Sequence, residues 1–201
     1  MGKIFYIMGK SASGKDTIYL EIRKLIFNLH PVITYTTRPI RRKEKNGVTY
    51  YFVDDKYLDT LKNDGKMIED RVYNTPYGKW RYATINDGQI DLNLFNYIMI
   101  GTLESYTNTV KYFGPDKIIP IYIESDPDKR LIRSIERENK QRVKKYDEVC
   151  RRFLQDERDF CEENILNAGI EKRFQNINLE ECISEIIDMI KKEKGDMVFS
   201  E

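Results

Sequence analysis

Cysteine, histidine, net charge and long apolar runs are all scarce in this chain, and each scarcity narrows what it can be. Three cysteines, Cys150, Cys161 and Cys182, are an odd count without metal-ligand spacing. The one histidine, His30, falls at the end of the first expected helix, where a C-terminal cap is the better reading than catalysis, and no chemistry is assigned to it. Lys+Arg 34 against Asp+Glu 33 leaves a formal net charge of +1, so no global field argues for nucleic acid or an acidic membrane surface. No apolar stretch reaches membrane length, and no secretory signal, internal repeat or low-complexity tract is recognisable. The expectation is a reduced, cytoplasmic protein without a nucleic-acid or membrane partner. At 201 residues the chain is most simply one domain with an insertion.

What is present concentrates at Gly9-Lys10-Ser11-Ala12-Ser13-Gly14-Lys15-Asp16-Thr17, between the apolar run Ile4-Phe5-Tyr6-Ile7-Met8 and a helix-period segment. Gly9, Gly14 and Lys15 meet the pattern G-x-x-x-x-G-K, in which successive backbone N–H groups point at a phosphate and the ammonium reaches its outer oxygens. Asp16 stands where Ser or Thr is expected, with Thr17 next. The apolar positions Ile18, Ile22, Leu25, Ile26 and Leu29 predict one helix behind the loop.

Tyr97-Ile98-Met99-Ile100 and Ile118-Ile119-Pro120-Ile121-Tyr122-Ile123 read as buried parallel strands joined through a helix over 104–112. Asp126-Pro127 opens another helix, a further one runs from Asp147 to about Asn164, Phe174 to Ile177 is a last strand, and Leu179 to Ile190 carries a final apolar helix face. Between these lies a different texture: a strand at Val48 to Val53, a short helix around 57–61, an Asp64-Gly65 turn and a strand at Met67 to Tyr73, together a small β-rich insertion.

Thr36-Thr37-Arg38-Pro39-Ile40-Arg41 continues to Glu44, Gly47 and Tyr50. Two guanidinium forks and a phenol suit a phosphate monoester, each charge-assisted bond contributing about 1.5–3 kcal/mol when sheltered. With the phosphate loop, this stretch resembles the guanylate kinase family, whose T-T-R-x-x-R-x-x-E-x-x-G-x-x-Y is matched by Thr36, Thr37, Arg38, Arg41, Glu44, Gly47 and Tyr50.

The resemblance implies an α/β fold: a P-loop NTPase-type core with a parallel sheet flanked by helices (about 1–32, 91–125 and 160–201), a mononucleotide-binding insertion (about 33–90) and a helical lid (about 126–159). It implies transfer of the γ-phosphoryl group of ATP, with Mg²⁺ on Asp16 or Thr17, to GMP or dGMP. Thr34, Arg38, Arg41, Tyr50 and Tyr77 would hold the acceptor, and Glu69 would read its base, because a carboxylate accepts from guanine N1–H and the exocyclic amine but faces a lone pair on adenine. Lys15, Arg133, Arg137 and Arg152 would act on the transferring group. Two departures keep other acceptors open. The family's L-D-I-D aligns with Met99-Ile100-Gly101-Thr102, leaving Glu104 as the nearest carboxylate, and Lys79-Trp80 stands where a small hydroxyl residue is usual. The alternatives are a kinase of another mononucleotide or a ribose phosphate, and a non-catalytic binding module, against which the intact Lys15 and arginine set argue.

Overall fold

Ile4–Met8 has no charged side chain and is buried along its whole length, as a strand covered on both faces must be. In the computed structural model, which describes residues 1–41, 44–75 and 78–194, it is strand β1. It pairs in parallel with β7 (Asn96–Gly101) and β8 (Ile118–Glu124), and the sheet is extended by β2 (Leu29–Pro31) beyond β7 and β9 (Arg173–Gln175) beyond β8. Alternation along β1 divides its side chains between two cores. Phe5 and Ile7 meet Ile18 and Ile22 of α1 (Lys15–Leu25) and Ile183, Ile186 and Ile190 of α7 (Leu179–Lys194). Ile4, Tyr6 and Met8 face Leu103 and Tyr106 of α3 (Leu103–Phe113), together with Phe160.

A second, mixed sheet has the order β4 (Tyr51–Phe52), β3 (Tyr35–Thr36), β6 (Gly78–Ile85), β5 (Met67–Thr75). Its apolar face closes on Leu58 and Leu61 of α2 (Asp55–Asn63). Arg81, in β6, ties that helix to the sheet by ion pairs to Asp59 at 2.6 Å and Asp70 at 2.7 Å. The remaining helices are α4 (Pro127–Asn139), α5 (Tyr146–Asp159) and α6 (Glu162–Asn167).

Six sequence expectations are corrected. The helix after the loop stops at Leu25, Ile26 takes a non-helical conformation, and Leu29 and His30 belong to β2. His30 is therefore no helix cap; it packs on Phe95 with ring centroids 4.4 Å apart. Of Val48 to Val53 only Tyr51–Phe52 is strand, because Gly47, at φ +73°, starts a turn through Val48 to Tyr50. The helix expected from Asp147 to Asn164 breaks into α5 and α6 at Phe160, which leaves helical geometry to bury its ring against Tyr122, 5.6 Å away and nearly parallel. The last strand ends before Ile177, which is exposed. Asp126 stands at the N-cap of α4 as expected, but its carboxylate pairs with Lys129 rather than capping.

Candidate functional site

The loop Gly9 to Thr17 runs from the C-terminal end of β1 into α1, so the helix N-terminus and its unpaired N–H groups face whatever the loop encloses. Gly14 sits at φ +93°, and a Cβ there would lie 2.2 Å from Nδ2 of Asn176; that amide donates to the Ser13 carbonyl at 2.7 Å and braces the loop from the end of β9. A Cβ on Gly9 would meet the Ile123 carbonyl at 2.5 Å. Ala12 adopts φ +60°, unusual for a residue with a side chain, and the buried Ser13 hydroxyl has no hydrogen-bond partner among the described residues. Lys15 Nζ lies 3.7 Å from an Asp16 carboxylate oxygen, and the Asp16 side chain is 79% exposed at the loop mouth.

Across from the loop, Arg38 is held rigidly. Its side chain is only 3% exposed, Nη2 donates to Glu44 at 2.7 Å, Nε to the Tyr82 hydroxyl at 3.1 Å, and its guanidinium carbon lies 5.6 Å from the Tyr50 ring centre. Burial works against the charge on both Arg38 and Glu44, yet their mutual hydrogen bond raises the arginine and lowers the glutamate, so the pair stays ionised. Tyr50 is pushed up to about 12, by burial first and Tyr82 second, with Arg38 opposing; near neutrality its phenol is a donor. Thr34 lies in the segment leading to β3, where its carbonyl accepts from the Tyr51 N–H at 2.9 Å.

A cavity of about 590 Å³ opens between these groups and the helices that follow β8; Ser11, Arg38, Arg41, Trp80, Arg137 and Arg152 line it. Arg133, one turn before Arg137, donates to the Ala12 carbonyl and the Ser125 hydroxyl, each at 3.3 Å. Arg152 is tied at 2.6 Å to Glu148, whose carboxyl is held down at about 2 by hydrogen bonding to Arg151, against burial, and then to Arg152. From the same helix α5, Asp156 accepts from the Ser11 backbone N–H at 2.6 Å and Glu157 accepts from Lys10 Nζ at 2.6 Å and from the buried Arg130. Helix α5 thus rests on the loop through two carboxylates.

Glu69 lies on β5 with its side chain fully buried and both oxygens engaged: one accepts from Thr84 at 2.8 Å and from Arg71 Nη2 at 3.2 Å, the other from Arg71 Nε at 2.7 Å. Strand alternation puts Arg71 and Tyr73 on the same face, opposite Tyr82 and Trp80 of β6. Lys79 alternates to the other face and is exposed, whereas Trp80 enters the cavity. Arg71 Nη1 reaches across to the Thr102 hydroxyl at 2.8 Å, joining the small sheet to the end of β7. Tyr77 lies outside the described residues. Arg71, Tyr82, Asp156 and Asn176 did not stand out in the sequence. Only Arg71 carried a signal, its two-residue spacing from Glu69 in a strand; the others act through long-range contacts.

A family model described as guanylate kinase matches residues 1–193. The chain belongs to the guanylate kinase family. Guanylate kinase of Thermotoga maritima is 26% identical over 201 residues, covering 96% of this chain and 88% of that protein. Guanylate kinases of Legionella pneumophila (strain Lens) and Nitrosomonas europaea are 31% and 37% identical, but the match spans only 38% and 42% of this chain and 37% and 44% of those proteins. The crystal structure of guanylate kinase from Anaplasma phagocytophilum superposes with a TM-score of 0.65 at 18% identity, over 98% of this chain and 88% of that one, which establishes the common fold. Among the described residues of this guanylate kinase family member, no helix is long and apolar enough to cross a membrane.

Proposed function

We propose that this chain transfers the γ-phosphoryl group of ATP to a nucleoside monophosphate, GMP or dGMP, releasing ADP and the nucleoside diphosphate. The observation that carries the reading is the convergence of the loop residue Ser11 with Arg38, Arg41, Arg137 and Arg152 on one cavity. A relative named guanylate kinase along nearly the whole chain supports the acceptor. Phosphoryl transfer asks little covalent chemistry of a protein, so positioned cations in a sheltered site are an adequate mechanism.

Residues Gly9 to Thr17 would cradle the ATP phosphates with backbone N–H groups, the unpartnered Ser13 hydroxyl being sited in that cradle. Lys15 would neutralise charge on the outgoing oxygens, with Arg133, Arg137 and Arg152 arriving from the lid. Arg38, Arg41 and Tyr50 would grip the acceptor phosphate, Arg38 preset by Glu44. The exposed Asp16 carboxylate, with Thr17 adjacent, is a hard oxygen donor that would hold Mg²⁺, whose charge would offset that of the phosphates. A cytoplasmic site of action accords with the free Cys150, Cys161 and Cys182.

Lys15→Met should abolish ADP release with GMP while the far-UV spectrum and melting midpoint stay close to the parent's. Retained turnover in the pure variant would refute the kinase reading. A second reading, another phosphorylated acceptor, is favoured by one observation: Arg71 and Thr84 already take up the Glu69 oxygens. ADP release measured with each common mononucleotide in turn decides between the two.

A further inference from the structure

Helix α5 supplies its own carboxylates to groups that a phosphate would use. Glu148, Arg152 and Asp156 follow one another at four-residue intervals and so form one stripe along the helix. Glu148 and Arg152 line the cavity of about 590 Å³, and Ser11 lines it from the loop. Two of the anion-seeking groups there end on carboxylates of the stripe: Arg152 Nε donates to Glu148 at 2.6 Å, and the Ser11 backbone N–H donates to Asp156 at 2.6 Å. Glu157, next in the chain, fastens the same end of the helix by accepting from Lys10 Nζ at 2.6 Å and from Arg130. A backbone amide that meets a carboxylate oxygen at this distance makes the charge-assisted bond it would otherwise make to a phosphate oxygen, and one N–H proton makes one such bond at full strength. The contact joins residues 145 apart in the chain, on a loop whose neighbouring amides are disposed for anions.

We propose that Asp156 is an internal competitor of the ATP phosphates: in the nucleotide-free chain it holds the Ser11 amide and latches α5 onto the loop, and ATP binds by displacing it. The inference rests on the reading of Gly9 to Thr17 as the ATP-binding loop. Part of the phosphate interaction is offset by the bond lost to Asp156, so affinity for ATP is lower than the loop alone would give, in proportion to the fraction of molecules whose loop is open. The displaced helix carries Arg152, so the event that fills the loop also frees the element bearing a cavity arginine. Asp156 therefore sets the affinity for the donor nucleotide and leaves that for the acceptor alone.

Calorimetric titration of the full chain with ATP and Mg²⁺, without acceptor, reads the competition directly. Asp156→Ala should lower the Kd of ATP by about tenfold, and Asp156→Asn, which keeps an acceptor oxygen but not the charge, should fall between variant and parent. Asp159→Asn removes the same charge three residues on, from an exposed carboxylate that accepts from Gln155 at 2.7 Å, and should leave the Kd within about twofold of the parent's. Equal tightening in Asp159→Asn would reduce the effect to net charge and overturn the inference, as would an ATP affinity unchanged or weakened in Asp156→Ala. Amide hydrogen exchange without nucleotide reads the latch itself: the Ser11 N–H should exchange about tenfold faster in Asp156→Ala than in the parent, and an unchanged rate would overturn the proposal. In turnover, the KM of ATP should fall in Asp156→Ala while that of GMP stays. Tighter ATP binding by a variant that phosphorylates no mononucleotide, like its parent, overturns the kinase reading and leaves the latch standing; a working kinase whose ATP affinity ignores Asp156 does the reverse, and no ATP binding in either protein overturns both.

Discussion

The loop Gly9 to Thr17 shows how single atoms hold a backbone in shape. Gly14 is required twice over, by its positive φ and by the 2.2 Å that would separate a Cβ from Asn176. Asn176 is buried and its amide satisfies the Ser13 carbonyl, so Asn176→Ala strands an acceptor at the heart of the loop. A loss of about 1–3 kcal/mol in unfolding free energy is expected, with weaker ATP binding, and urea titration alongside nucleotide calorimetry measures both. Unchanged values in the two experiments would mean that the amide is not what braces the loop. Lys15 and Asp16 could be located by pattern because the loop is contiguous. Asn176 could not, because its partner is 163 residues away.

At the scale of elements, helix α5 carries both a cavity arginine and the two carboxylates that touch the loop. The Glu148 fork to Arg151 and Arg152 organises its first turns. The Glu148 carboxyl falls from the ordinary glutamate value near 4.5 to about 2 on folding, so its contribution is complete above pH 4.5 and disappears as pH falls toward 2. Both arginines are about half exposed, which limits that contribution to about 1 kcal/mol at most. Glu148→Gln should therefore lower the melting midpoint slightly at neutral pH, and the gap between variant and parent should close between pH 4.5 and 2; a gap constant across that range would disprove the assignment. The division of α5 from α6 was invisible in the sequence, where the apolar spacing continues through Phe160. Stacking on Tyr122, a strand residue distant in the chain, decides where the helix stops.

Over the whole molecule, stability is unevenly spread. The parallel sheet lies between two large apolar clusters, whereas the mixed sheet closes on a small one of Tyr35, Leu58, Leu61, Ala83 and Ile85. Amides of β1, β7 and β8 should be the last to exchange in native-state hydrogen exchange, and those of β3 and β6 should open earlier, since sub-global opening follows the apolar surface buried. Equal protection in both sheets would contradict this. The bond from Arg71 to Thr102 crosses between the sheets. The sequence alone determined the loop between β1 and α1, the buried strands β7 and β8, the final helix and the arginine motif, because each is written in consecutive residues whose periodicity or spacing has a local physical cause. Only the tertiary structure decided that residues 29–31 leave the first helix to pair with β7, that Trp80 and not Lys79 enters the cavity, and that Arg71 occupies the oxygens of Glu69. Those outcomes depend on which surfaces meet across the fold, and ion pairing between buried groups is settled by what remains unpaired once the sheets have closed.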